Sequence, residues 1–190
     1  MKRLLTALVA LLGLSACNGA TLGTGFSISS PFNEHESYGV ARGGAHNGVD
    51  IATRVGTPII AAADGVVANT RNYHRQTESC GNEITLFHPK LSNDKHEFET
   101  RYCHMSDLLF ERGDVIKRGD VIGHVGQTGS SGSTTHVHFV TRVYSANYID
   151  TGGEVRRQFD PEKYVVGCYY PNIQYSKTKT EFTWSVHCKN

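Results

Sequence analysis

The chain has 190 residues, with 19 basic and 18 acidic side chains for a formal net charge of +1, and 38% of its residues are hydrophobic. So even a balance provides no basic field for nucleic acid, and beyond the first residues no run is apolar enough to cross a membrane. Short Val/Ile/Tyr/Phe-rich runs broken by glycine dominate over helix-length amphipathic stretches, so the chain reads as all-β.

The opening MKRLLTALVALLGLSAC has Lys2 and Arg3, an apolar run from Leu4 to Leu14, then small residues. That order is the mark of an export signal, and the apolar run is too short for a permanent span. Removing residues 1–16 takes two positive charges away and leaves a formal charge of −1. The closing LSAC resembles the lipobox of bacterial lipoproteins, which implies cleavage before Cys17 and lipidation of that residue. Several acyl chains there would hold the chain stably on a membrane. Asn18, in place of Asp, implies by the same resemblance the periplasmic side of an outer membrane. Residues 17–30 are rich in Gly, Ser and Thr and are expected to form a flexible tether, reaching roughly 40 Å when extended.

Residues 31–165 are expected to form one domain, which that length can supply with a single core. In YGVARGGAHNGVDIA, His46 and Asp50 flank Gly48. On a straight strand they would stand roughly 13 Å apart, too far to share one ion. Gly48 is therefore expected to let the chain turn sharply. VGTPIIAAADGVVANT and RGDVIKRGDVIGHVGQTG share a rhythm of glycine, turn and apolar pair, and read as two hairpin units of similar design. Between them, NEITLFHP and HEFETRYCH read as the two strands of another hairpin. Cys80 and Cys103 lie almost equidistant from the middle of its loop, so in an oxidising compartment they are expected to bond across it. Cys168 and Cys188 would then staple residues 166–190, a polar extension without evident chemistry. His35, His74, His88, His96, His124 and His187 are expected at surface or turn positions.

The chemistry concentrates in STTHVHFVTRV. Strand side chains alternate between faces, so His136 and His138 emerge together. Neutral imidazole is the commonest metal ligand. His46, Asp50 and one of the strand histidines would give two nitrogens and one oxygen, with a fourth position open for water. The other strand histidine and His104, in RYCHMSDL, would serve as proton acceptor and oxyanion donor.

Taken together, YGVARGGAHNGVDIA, RYCHMS, TGSSGSTTHVHF and FDPEKY resemble the successive signatures of the lysostaphin-type, or LytM-like, zinc metalloendopeptidases, over about residues 37 to 164. The resemblance implies a small antiparallel β-sandwich with a groove across one sheet, of the duplicated hybrid motif type. It implies one Zn²⁺ held by His46, Asp50 and His138, with His104 and His136 as the catalytic pair. Tyr38 matches a cleft tyrosine that helps hold the substrate or its oxyanion. The implied substrate is the peptide part of the bacterial cell wall: D-Ala to meso-diaminopimelate cross-links in a two-membraned host, to which Asn18 points, or glycine bridges otherwise. Many relatives have Leu between the strand histidines where this chain has Val137, a difference that bears on groove shape and leaves every metal position filled. The rival reading is a wall-binding regulator that activates a separate amidase without cleaving anything. With histidines as both ligands and catalysts, activity is expected to fall as pH drops through ~6.

Overall fold

The computed structural model describes residues 26–33, 36–37, 40–41, 45–72, 80–89, 97–130, 134–144, 156–176 and 179–188. The expected export signal, Cys17 and Tyr38 lie outside the described residues. In chain order the strands begin with β1 (Ser27–Ser30), β2 (Glu36–Ser37), β3 (Val40–Ala41), β4 (Val49–Ala52), β5 (Pro58–Ile60) and β6 (Gly65–Arg71). They continue with β7 (Glu83–His88), β8 (Glu97–Tyr102), β9 (Met105–Leu108), β10 (Val115–Ile116), β11 (Val121–Val125), β12 (His136–Tyr144) and β13 (Arg156–Phe159). A 3-10 turn follows at Pro161–Lys163.

Alternation along the strands decides how they pack. In β12, Val137, Phe139 and Thr141 are fully buried on one face, and His136, His138, Val140 and Arg142 take the other. Register carries the apolar face to the neighbouring strand, where Phe139 opposes Tyr102 and Val143 opposes Phe98. The resulting large antiparallel sheet runs β1-β4-β12-β8-β7-β6-β10, with β13 also paired to β12. A second sheet, β5-β11-β9, lies across its apolar face, and Ile59, Met105, Ile122 and Val125 share one core with Ile51, Val137 and Phe139. The chain is an antiparallel β-sandwich, as its composition and motifs imply. The histidine face of β12 is left outside that core.

Four expectations need correction. The two glycine-rhythm units are not hairpins: β5 lies in the small sheet and β6 in the large one, while β10 and β11 make the opposite crossing. They pair with each other instead, β5 with β11 and β6 with β10. Ala61, Ala62 and Ala63, all fully buried, let the chain pass between layers without bulk, and Ala61 N–H donates to Asp120 O at 2.9 Å. Second, the last residues of the expected tether are strand β1, paired with β4, and Phe26 packs edge-on against Trp184. Third, the extension completes the core: Phe182 and Val186 are buried in it, and Thr183 N–H donates to Ala62 O at 2.9 Å. The hydroxyl-rich composition of that segment hid its two core side chains.

Fourth, His88 is fully buried, not on the surface. Its Nδ1–H donates to Asp64 O at 2.7 Å, and Thr100 Oγ1 lies 2.7 Å from Nε2. Burial pulls its pKa down to about 4, so it is a neutral core imidazole. His124 is partly exposed against Asp107 at 2.9 Å, and His187 is exposed. His35, His74 and His96 lie outside the described residues. The β7–β8 hairpin forms as expected, and Cys80 bonds Cys103 just beyond its ladder, with Cα atoms 5.0 Å apart. Cys168 bonds Cys188.

Candidate metal centre

Three segments far apart in sequence meet at the open face of the large sheet. Asp50 is placed by β4, which pairs with β12 so that Asp50 stands opposite His138. His46 precedes β4 in an irregular segment, which removes the separation a straight strand would impose. Gly48 does not turn there with a left-handed backbone. A Cβ on it would lie 2.5 Å from Phe139 O and 2.9 Å from His138 Cε1, so its role is to let this segment lie against β12.

The donor atoms form a small triangle. His46 Nε2 lies 3.0 Å from His138 Nδ1 and 3.1 Å from Asp50 Oδ1, and His138 Nδ1 lies 2.8 Å from Asp50 Oδ1. Ligand atoms about 2.0–2.1 Å from a tetrahedral ion stand about 3.3 Å apart, so the triangle would open by only a few tenths of an ångström to accept one. The outer nitrogens set the tautomers. His46 Nδ1–H donates to Pro31 O at 2.9 Å, with Ser30 Oγ 3.1 Å away. His138 Nε2–H donates to Asn47 Oδ1 at 2.9 Å. Both inward nitrogens are therefore lone pairs, directed with a carboxylate oxygen at one point. A cation relieves that convergence of acceptors, so the donor set fits a metal.

Electrostatics agree with the geometry. Burial raises the Asp50 carboxyl, but the His138, His46 and His136 imidazoles packed around it outweigh that effect and hold the group well below the usual carboxylate range. Burial pushes the His138 imidazole down, favouring its neutral, ligating form. Asn33 contributes its backbone N–H to His46 O at 2.8 Å and is itself exposed. Glu83 lies with Cys80 and Cys103 in a second ligand-like cluster, but those two sulfurs are consumed by their disulfide.

His104 and His136 flank the triangle. Their rings meet edge-on with centroids 4.8 Å apart, and His136 Nε2 lies 3.6 Å from Asp50 Oδ1. His104 Nδ1–H donates to Thr128 O at 2.8 Å, and His136 Nδ1 lies 3.3 Å from Thr134 O. His104 Nε2 is then a lone-pair nitrogen, whereas Thr134 Oγ1, 3.4 Å from His136 Nδ1, can donate to that nitrogen and leave the His136 proton on Nε2. Burial first, and then the nearby His136, pull the His104 pKa down to about 4. His104 also has φ of 61°, a left-handed backbone that costs a non-glycine residue on the order of 1 kcal/mol. Two backbone bonds secure it there: its N–H donates to Cys80 O at 2.8 Å, and its carbonyl accepts from Gly126 N–H at 2.9 Å.

The five polar groups the sequence singles out for metal and proton work thus lie together. Asn47, Thr128, Thr134 and Pro31, which orient them, were not anticipated. Asn47 was readable in HNGVD as a polar neighbour of a ligand. The other three act through backbone carbonyls, which leave no mark on residue identity.

Comparisons with known proteins point the same way. The pattern of Peptidase family M23 matches residues 44–151, more than half of the chain. The peptidoglycan DD-endopeptidase ShyA of Vibrio cholerae is 35% identical over 117 residues, covering 60% of this chain and 25% of that protein. The chain spans about a quarter of the length of the curated relatives it matches. The catalytic domain of lysostaphin from Staphylococcus simulans superposes with a TM-score of 0.55 at 27% identity, over 73% of this chain and 91% of that one. A zinc-containing peptidase from Vibrio cholerae gives a TM-score of 0.51 at 31% identity, over 62% of this chain and 33% of that one. With a matched segment that includes both ligand-bearing strands and both flanking histidines, the chain belongs to Peptidase family M23.

Proposed function

We propose that the protein is a zinc-dependent endopeptidase that hydrolyses peptide cross-links of bacterial peptidoglycan. The observation that carries this reading is the triangle of His46, Asp50 and His138, with two imidazoles beside it. A zinc ion held by those three atoms supplies Lewis acidity, polarising a carbonyl and lowering the pKa of water at its remaining position. His104 and His136 divide the proton work. One takes the proton from the attacking water and returns it to the leaving amine as the C–N bond breaks. The other donates an N–H to the oxyanion that forms on the attacked carbonyl. Tyr38, from the segment ahead of His46, helps hold that oxyanion or the substrate.

The bond proposed is the one between D-Ala and meso-diaminopimelate. It rests on the similarity to a DD-endopeptidase and on Asn18 after the lipobox-like LSAC. On this reading residues 1–16 direct export and Cys17 carries the lipid. The domain then works from the periplasmic side of the outer membrane on the stem peptides. Digesting purified peptidoglycan with the zinc-loaded full chain, and identifying the new termini by mass, tests the proposal. New D-Ala carboxyl and diaminopimelate amine ends are expected. Binding to the wall with no new termini would favour the regulator that cleaves nothing.

A further inference from the structure

The metal centre occupies one end of a larger open face. His138 stands beside Cys103, whose N–H donates to His138 O at 3.1 Å. Moving along β12 on the same face, Val140 opposes Arg101, and Arg142 opposes Glu99 on one side and Gln158 on the other. Across the sheet, Arg101 opposes Thr85 and Thr85 opposes Asn69, while Glu83 opposes Arg71. Strand rise places Val140 and Arg142 ~7 Å and ~13 Å from His138. A recess of about 320 Å³ opens there, lined by Arg71, Arg101, Arg142, Asn69, Glu83 and Gln158 among others.

Charge in this recess is layered. The carboxylates lie beneath: the Glu83 and Glu99 side chains are each 3% exposed. Arg101 contacts Glu83, Arg71 Nε lies 3.6 Å from the same carboxylate, and Arg142 Nη1 lies 4.0 Å from Glu99. The Arg71 and Arg101 guanidiniums reach further out, 52% and 20% exposed, while the Arg142 side chain lies deeper at 10%. Three formal positive charges face two negative ones, so the recess has a positive excess. Solvent-facing strand residues are commonly polar without any ligand. Here, however, the acids are sunk and Arg71 and Arg101 are lifted around a concavity that Arg142 lines from below, which presents N–H donors outward.

We propose that the recess formed by Arg71, Arg101 and Arg142, beyond the metal centre on the open face of the large sheet, is a subsite for a free carboxylate of the substrate peptide. The inference rests on the endopeptidase reading and adds a specificity determinant to it. An extended chain covers ~3.3 Å per residue, so the carboxylate recognised stands about two to four residues from the scissile bond. The planar guanidinium fork matches a carboxylate in shape and charge.

The test uses the zinc-loaded full chain and two forms of one synthetic cross-linked stem peptide, with the free carboxylates intact or converted to primary amides. Wild type is expected to favour the carboxylate form through KM, by roughly tenfold, the scale of one charge-assisted hydrogen bond. Arg101→Gln, and separately Asn69→Asp at a part-exposed position, should each reduce that ratio towards one with zinc content retained; Arg101→Gln lowers the melting temperature by stripping Glu83 of its nearest cation, whereas Asn69→Asp keeps it. Equal KM for the two forms, or a ratio unchanged in both variants, would overturn the subsite and leave the endopeptidase reading standing. If neither peptide is cleaved, the endopeptidase reading fails, and fluorescence anisotropy of the labelled peptides decides the subsite. A binding preference lost in both variants supports it; no preference refutes it.

Discussion

Thr128 O, accepting from His104 Nδ1–H at 2.8 Å, sets the proton chemistry of that imidazole by leaving Nε2 as its basic nitrogen. Burial then governs when the nitrogen works. With its pKa pulled down to about 4, His104 stays neutral at any pH above that value and becomes protonated as pH falls through it. A group that must accept a proton is therefore competent above about 4 and lost below it. This shifts the acid loss downward from the ~6 expected of unperturbed imidazoles. In a pH profile of kcat/KM, with bound zinc measured at each point, the acid limb should centre near 4 while metal is retained. A limb at or above 6.5 with zinc still bound would contradict this account of His104.

Among the structural elements, the β7–β8 hairpin does more than extend the sheet. Its two strands end at Glu83 and Tyr102, and the Cys80–Cys103 bond closes the open end immediately before His104. Cys80 also accepts the His104 N–H, so the bond holds the partner that secures a left-handed backbone. Cross-linking residues 23 apart stabilises a fold by about 3 kcal/mol on the chain-entropy estimate. Replacing Cys80 and Cys103 together with serine should lower the urea midpoint. It should reduce kcat at least several-fold with KM less affected, because His104 loses its anchor. Unchanged kcat in a destabilised double variant would show that the bond is structural only. The hairpin, the pairing of its cysteines and the alternation of β12 were legible because each depends on local spacing and face. The layer crossings at Ala61–Ala63 were not, since a run of small residues followed by a turn reads the same whether the chain doubles back or changes sheet.

Over the whole molecule, the site exists because non-local pairings bring its parts together. β4 carries Asp50 to β12, and β1 brings Ser30 and Pro31 to His46. The ligand types and their order were plain in the sequence, because few side chains bind a metal and they stood in recognisable spacing. That β1 belongs to the sheet was hidden in a Gly/Ser/Thr-rich run whose composition suits a tether equally well. Phe182 and Val186 were similarly masked by the polar residues around them, although Val186 bridges Ile59 of β5 and Phe182 packs on Phe98 of the large sheet, both inside the one core. The central claim is that ligation and proton transfer fall to different histidines. Zinc content and peptidoglycan turnover, measured together for His46→Ala and His136→Ala, test it most directly. The account predicts that His46→Ala loses both, and that His136→Ala keeps one zinc per chain while turnover falls by at least a hundredfold, within the range a positioned proton-transfer group contributes. Normal turnover in His136→Ala, or full zinc retention in His46→Ala, would contradict it.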